Sequence, residues 1–373
     1  MNENSVICRY IAEHSDWEES LHENYGLKIK RKGPYAIFNY NFDSAFGDPV
    51  VQEARGIILD TERIEVVCWP FRKFGNFHES YADKIDWSTA CVQEKVDGSI
   101  IKLWYSEREG RWIFATNGTI DAEEAAVEDA ANGMTFADAI RSADNYEDIH
   151  LDDLDRDKTY IFELVGPKTQ VVVRYERPLL YHIGTRNNIT GQETDENIGI
   201  IQPARYPLQS LEECVDAARR LNSDGNGVEY EGFVVVDAAW NRVKIKSPDY
   251  IVKHKIAVTY LNAENCFDML LNSGYTTQEL CEIRPNDAAV LKYYDWQIEE
   301  VLCAADRIAE MARALYEEYS HDRKAVAMDI KGHPLANIGF LALESDQRGR
   351  ELIQMQGRLM TFLKKIVKPY KQQ

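Results

Sequence analysis

Glu94-Lys95-Val96-Asp97-Gly98-Ser99 joins two runs of β-forming residues, 91–95 and 99–105. A lysine at a strand end followed by Asp-Gly suits a covalent lysine nucleophile. The strand fixes the amine, and the glycine lets backbone approach a bound nucleotide. Alone, the same six residues read equally well as a surface hairpin turn. The surrounding sequence decides between the two.

Short β-branched or aromatic runs bounded by Gly, Pro, Asp or Asn predict strands at 35–42, 55–60, 65–69, 91–95, 99–105, 111–116, 159–165, 170–174, 179–184, 230–237 and 241–246. Few helical patterns separate them, which favours antiparallel sheets over repeated parallel units. Helical insertions are expected at 121–142 and at 210–222, the second opening on Ser210-Leu211-Glu212-Glu213, a capping-box spacing. Beyond residue 255 the texture changes. Leu291, Tyr294, Ile298, Val301, Leu302, Ala305, Ile308, Met311, Ala312 and Leu315 recur at three- and four-residue steps, predicting a long helix over 288–319. Further helices are expected at 334–345 and 348–367. The expected architecture is α+β: a domain of antiparallel sheets with helical insertions over 1–255, then an all-helical domain over 256–373.

The chain has 373 residues, and its 62 acidic side chains against 43 Lys and Arg give a net charge of -19. Its length suffices for two domains. A uniformly basic nucleic-acid binder is excluded, but the charge is unevenly spread. Residues 121–157 hold thirteen acids against Arg141 and Arg156, and read as a solvated helical insertion. From Arg358 onward there are five basic residues and no acid, either an RNA contact or a complement to a helix dipole. No stretch approaches the roughly 18 apolar residues of a membrane span, and 1–16 lacks the layout of a signal peptide. The seven cysteines are scattered without Cys-x-x-Cys spacing, which argues against zinc or a disulfide framework and for a reduced, cytoplasmic protein. The eight histidines show no metal-ligand spacing.

Further chemistry-bearing segments flank the hexapeptide. Ala54-Arg55-Gly56-Ile57 and Phe71-Arg72-Lys73-Phe74-Gly75-Asn76 precede it; Phe162-Glu163-Leu164, Glu231-Gly232-Phe233-Val234-Val235 and Val243-Lys244-Ile245-Lys246 follow. Lys244 and Lys246 alternate with Ile245, so both amines share one face of a strand. On a surface strand they would simply be solvated. Glu163 lies in an otherwise apolar run, where a carboxylate is costly to bury without a partner. Nucleophilic attack by Lys95 requires a neutral amine, although an ordinary lysine titrates near 10.4. Neighbouring cations and a bound metal are expected to lower that value.

In their order and texture these segments resemble the covalent nucleotidyltransferase superfamily of ligases and mRNA capping enzymes. Within it they resemble the phage tRNA-repair type, the RNA ligase 1 family. Asp322-Arg323-Lys324, Ala327-Met328 and Gly332 resemble that family's helical C-terminal domain. The resemblance implies an ATP-dependent RNA ligase that joins 5′-phosphate to 3′-hydroxyl ends through lysine–AMP and AMP–RNA intermediates in RNA repair. It implies Lys95 as nucleophile, with Lys244 and Lys246 stabilising charge on the phosphorus. Glu163 and Glu231 would face nucleotide and metal, Mg²⁺ or Mn²⁺. Arg55 would contact AMP or the RNA 5′-phosphate, and Lys73 the triphosphate. Glu94, Asp97, Gly98, Gly232, Tyr40 and Tyr250 would line the nucleotide site, Asp97 orienting the nucleophile or the attacking hydroxyl.

The implied partners are single-stranded or broken structured RNA, such as tRNA cut in the anticodon loop, and an end-healing kinase-phosphatase, with no membrane. One departure stands out: Thr116-Asn117-Gly118 replaces a Ser-Lys-Gly step and so removes a cation from a phosphate contact. A DNA ligase or capping guanylyltransferase would append a small β-barrel after the Lys244–Lys246 strand, where this chain turns helical. A non-catalytic RNA-binding module would be expected to lose Lys95 or the paired lysines, and all are present.

Overall fold

Pairing of the β-rich runs explains most of the architecture. The computed structural model describes residues 2–41, 43–127, 133–222, 229–355 and 358–370. The chain forms two compact units, Met1–His254 and Lys255–Gln373.

The first unit opens with α1 (Val6–Glu13) and α2 (Trp17–Tyr25), followed by β1 (Lys28–Lys32), β2 (Tyr35–Asn39), α3 (Pro49–Glu53), β3 (Arg55–Asp60) and β4 (Glu65–Cys68). The four strands pair in the order β1-β2-β3-β4, all antiparallel. Ile7, Leu21, Phe38, Val51 and Ile57 make the core beneath the helices. β1 has the charged sequence Lys-Ile-Lys-Arg-Lys and no strand-like run, so only its pairing with β2 creates it.

A second sheet contains β6 (Ser99–Ser106), β7 (Arg111–Thr116), β8 (Lys158–Val165), β9 (Leu179–Asn187) and β10 (Glu193–Thr194), in the order β10-β9-β8-β6-β7. The third contains β5 (Cys91–Glu94), β11 (Arg205–Tyr206), β12 (Gly232–Val236) and β13 (Arg242–Lys246), in the order β11-β5-β12-β13. Val92, Phe233, Val235, Val243 and Ile245 pack beneath α5 (Leu211–Arg220), whose N-cap Ser210 accepts from the Glu213 amide as its spacing predicts. Between the second and third sheets, Phe71, Phe74 and Ile161 form a small apolar cluster with Ile100, Ile183 and Val234.

Three expectations need correcting. Residues 170–174 form no strand; the Val172 and Val173 amides leave the ladder to bind the Asp97 carboxylate. The helix expected over 121–142 is a 3₁₀ turn at Ala122–Glu124 and a short α4 (Phe136–Arg141), with 128–132 outside the described residues. Nor is the acidic segment merely solvated. Ala122, Val127, Ala137, Ile140 and Ile149 pack on Ile101, Leu103, Phe162 and Leu180, covering one face of the second sheet, and Asp121 is itself buried and paired with Lys32 and Arg111. In the expected strand 35–42, Phe42 lies outside the described residues.

After α6 (Pro248–Val258) come α7 (Ala263–Asn272), α8 (Thr277–Ile283), α9 (Ala288–Glu318), α10 (Arg323–Ile330), α11 (Ala336–Ala342), α12 (Gly349–Gln354) and α13 (Arg358–Ile366). The 31-residue α9 follows its predicted stripe, burying Leu291, Tyr294, Ile298, Ala305, Ile308 and Ala312. Met311 departs from the stripe and is exposed. The helix expected over 348–367 divides into α12 and α13, with 356–357 outside the described residues. Among the described residues no helix is long and apolar enough to cross a membrane.

Candidate active site

Three strand ends bring the sequence-predicted residues together. The Lys95 amide donates to the Gly232 carbonyl at 2.8 Å, which ties the nucleophile candidate to the start of β12. β6 pairs with β8 so that Ile100 faces Glu163. β12 pairs with β13 so that Val234 faces Lys244 and Gly232 faces Lys246, which sets both lysines on one face. The loop at 75–77 holds β13 from its other edge: the Lys244 amide donates to Gly75 and the Phe77 amide to Lys244, each at 3.0 Å.

A cavity of about 370 Å³ opens there, lined by Arg55, Glu94, Lys95, Asp97, Gly98, Glu163, Glu231, Lys244, Lys246 and Tyr250. Lys73, Tyr40 and Gly232 are not in its lining. Lys73 lies behind it, with its amine 4.9 Å from the Tyr40 ring centre and 4.5 Å from that of Phe46. Tyr40 in turn hydrogen-bonds Arg55.

The two glycines allow strands to approach closely beside the cavity, which Gly98 also lines. Gly232 has φ +143, and a Cβ there would sit 2.2 Å from the Ile245 carbonyl oxygen. A Cβ on Gly98 would lie 2.3 Å from the Leu164 carbonyl oxygen.

Glu231 is the electrostatic centre. Its Oε2 pairs with the Lys95 amine at 2.7 Å and its Oε1 with the Lys246 amine at 2.8 Å, and its side chain is 3% exposed. Burial alone would raise its pKa, but these two ammoniums hold it below the ordinary carboxylate value. Glu163 is pushed up to about 7, chiefly by burial, with Lys95 opposing. Its Oε1 accepts from the Gly98 amide at 3.2 Å.

The expected lowering of Lys95 by nearby cations is reversed. Burial pushes that amine down, but Glu231 and Glu163 outweigh it and hold the pKa above the ordinary lysine value. The crowding of cations falls instead on Lys244. Burial, then Arg55, Lys95, Lys73 and Lys246, drive its amine down to about 6. The Lys244 amine lies 4.6 Å from the Phe74 ring centre.

Asp97 has its own tasks. One carboxylate oxygen accepts from the Tyr250 hydroxyl at 2.7 Å; the other accepts from the Val172 and Val173 amides at 2.9 and 2.7 Å. It thus braces the 171–175 segment and Tyr250 instead of presenting a free oxygen to the nucleophile. Glu94 lines the cavity with its pKa raised by burial.

Sequence reasoning missed Phe71, Phe74, Arg242 and His254 as cavity residues. Arg242 is two positions before Lys244, so strand alternation alone places it on the same face. Its guanidinium lies 4.2 Å from the Phe71 ring centre and pairs with Glu193 at 2.7 Å. His254 lies four residues beyond Tyr250 on α6, a one-turn spacing, and the two rings stack at 5.6 Å. Asn117 is exposed and outside the cavity lining; its carbonyl and side-chain oxygens face Gly56.

No group of three His, Cys, Asp or Glu side chains among the described residues could hold a metal ion. Two carboxylates, one of them engaged by two ammoniums, do not make an all-protein cage. They do suit a hard cation that arrives on phosphate oxygens and keeps its waters.

The cavity thus sets a strand-end lysine beside two carboxylates, with two further lysines in its lining. The sequence model of the RNA ligase family matches residues 53–261, and the chain belongs to that family. Over 303 residues it is 29% identical to "Putative bifunctional polynucleotide kinase/RNA ligase" of Autographa californica nuclear polyhedrosis virus, a match spanning 74% of this chain and 41% of the viral protein. Over 320 residues it is 27% identical to the RNA ligase of Rhodothermus phage RM378, spanning 68% and 71%. Among solved structures, an archaeal ATP-dependent RNA ligase aligns over 78% of this chain and 79% of that one, at 12% identity and a TM-score of 0.43.

Proposed function

We propose that this chain is an ATP-dependent RNA ligase whose covalent nucleophile is Lys95. The observation that carries the reading is the bridge Lys95–Glu231–Lys246, at 2.7 and 2.8 Å, inside one cavity with Lys244 and Glu163.

In the first step the neutral Lys95 amine attacks the α-phosphate of ATP. A P–N bond forms, the P–O bond to pyrophosphate breaks, and pyrophosphate leaves. In the second step an RNA 5′-phosphate oxygen takes AMP from the lysine, which restores the amine. In the third, an RNA 3′-hydroxyl attacks that activated phosphate and expels AMP. The resting ion pair stores Lys95 as an ammonium, so it must lose a proton before attack, and Glu231 is the carboxylate in contact with it. Incoming phosphate gives Lys244 and Lys246 anionic partners; Lys244, discharged by burial and by its cationic neighbours, regains a proton and a full charge as the phosphate arrives. Arg55 offers a bidentate fork to the α-phosphate or the RNA 5′-phosphate. Glu163, with Glu231 once its lysines turn to phosphate, would hold a divalent cation, Mg²⁺ or Mn²⁺, which supplies charge neutralisation on the phosphates.

We assign RNA selection to the helical unit, with broken structured RNA such as tRNA as the substrate and an end-healing kinase-phosphatase as functional partner. Arg323 and Lys324 at the start of α10 are the candidate contacts. Replacing both with alanine should reduce joining of a cleaved tRNA more than joining of plain oligonucleotides; equal loss on both would count against this assignment. All seven cysteines are free, in keeping with a cytoplasmic setting.

The test of the activity is an end-joining assay on 5′-phosphate, 3′-hydroxyl RNA with ATP, GTP or no nucleotide. Joining with ATP alone is expected. Labelling by GTP would point to a guanylyltransferase, and RNA binding without joining to a non-catalytic module.

A further inference from the structure

Lys102 is a fully buried lysine outside the cavity lining. It sits on β6, paired with Ala115 on β7 and Ile161 on β8, and its amine donates to the Gly56 carbonyl on β3. The charged or titratable groups acting on it are the Cys68 thiol from β4 and the Arg55 guanidinium from β3. A buried ammonium is costly without a strong acceptor, so its one hydrogen bond needs a reason.

The reason lies in the register of β2 and β3. Phe38 pairs with Ile57 and Asn39 with Arg55, so Gly56 has no partner across the ladder. It is a bulge residue, in left-handed backbone at φ +77. A bulge bends its strand and re-aims the neighbouring side chain. Here the neighbour is Arg55, which lines the cavity with its guanidinium 5.2 Å from the Phe74 ring centre.

We propose that Lys102 is a positioning residue for phosphate binding: by holding the bulged Gly56 carbonyl it fixes the direction in which Arg55 enters the cavity. The proposal rests on the reading of Arg55 as a phosphate ligand. Burial, with Arg55 adding to it, brings the Lys102 amine down to about 8, so the strength of this peg changes with pH near neutrality. The Cys68 thiol beside it is pushed up to about 11 by burial and stays neutral across that range.

The test is a cycle of Lys102→Met, Arg55→Ala and the double variant in the full-length protein. The readout is the ATP concentration giving half-maximal lysine–AMP formation. Methionine keeps the length of the stem and removes the donor. Loss of one charge-assisted hydrogen bond should raise that concentration about tenfold in Lys102→Met. In the Arg55→Ala background the same change should have no further effect. An equal loss in both backgrounds would mean that Lys102 merely supports the fold, and would overturn the proposal.

Should Lys102→Met not fold, the wild type and Arg55→Ala alone suffice. Half-saturation should rise above about pH 8 in the wild type relative to Arg55→Ala, as the peg loses its charge. Parallel curves would overturn the proposal. Absence of any lysine–AMP in the wild type would instead sink the ligase reading, and a fully active Arg55→Ala would sink the phosphate role of Arg55; either also removes the inference.

Discussion

Replacing Lys244 by methionine should make the protein more stable while disabling it. The Lys244 amine is driven down to about 6 by burial and by Arg55, Lys95, Lys73 and Lys246. In the unfolded chain it titrates near 10.4. Between these values the unfolded state binds one more proton than the folded state, so this group makes stability rise with pH at about 1.4 kcal/mol per unit. At about pH 7.5 the folded state has forgone a proton worth about 4 kcal/mol. Methionine removes that cost and keeps an apolar stem and a sulfur against the Phe74 ring, which lies 4.6 Å from the Lys244 amine. The net gain expected for Lys244→Met is about 3–4 kcal/mol near pH 7.5, larger toward about pH 6 and gone by about pH 10. Urea denaturation of both proteins across this range measures it. The same substitution should slow lysine–AMP formation by about 10²–10³, the usual loss when one donor to a developing phosphoryl charge is removed. A variant that is less stable than the wild type at every pH, or whose gain does not shrink as pH rises, would refute the placing of Lys244 among uncompensated cations.

Glu231→Gln should act in the opposite sense. Losing a carboxylate that bridges two ammoniums should cost about 3 kcal/mol at neutral pH. Because the folded pKa of Glu231 is depressed, its contribution is present above about 4.3 and lost as pH falls through the folded value, so the gap from wild type in urea should close in acid. Gly232→Ala places a Cβ against the Ile245 carbonyl in backbone that L-residues rarely adopt, and should destabilise by about 3 kcal/mol or more; an unchanged thermal melt would contradict the close approach of β12 and β13. Asp97→Asn should free the 171–175 segment, seen as faster amide exchange at Val172 and Val173; wild-type protection at those two amides would remove Asp97 from its bracing role.

Much of the site could be read in sequence because strand chemistry has a two-residue period. Lys244 and Lys246 share a face because they alternate with Ile245, and Arg242 belongs to the same series. The long stripe of α9 was equally plain, since ten apolar positions at helical spacing allow few alternatives. What stayed hidden depends on partners distant in sequence. β1 is a strand only because β2 pairs with it, and its composition of four basic residues and one isoleucine carries no strand signal. Residues 170–174 look like a strand, yet two of their amides are claimed by Asp97, more than seventy positions earlier. The charge state of Lys95 was misjudged for the same reason. Neighbouring cations and a bound metal suggested a lowered value, whereas Glu231, 136 positions away, sits against the amine. The covering role of the acidic segment was masked by its thirteen carboxylates, although Ala122, Val127, Ala137, Ala139 and Ile140 carry the apolar face.

The central claim is that the Lys95 amine becomes covalently bonded to adenylate. Full-length protein incubated with ATP and Mg²⁺ should gain about 329 Da, the mass of one AMP residue in lysine covalent catalysis, and peptide mapping should place it on Lys95. The adduct should be absent from Lys95→Met and should disappear when 5′-phosphorylated RNA is added. No gain in mass, or an adduct on any other residue, would contradict the account.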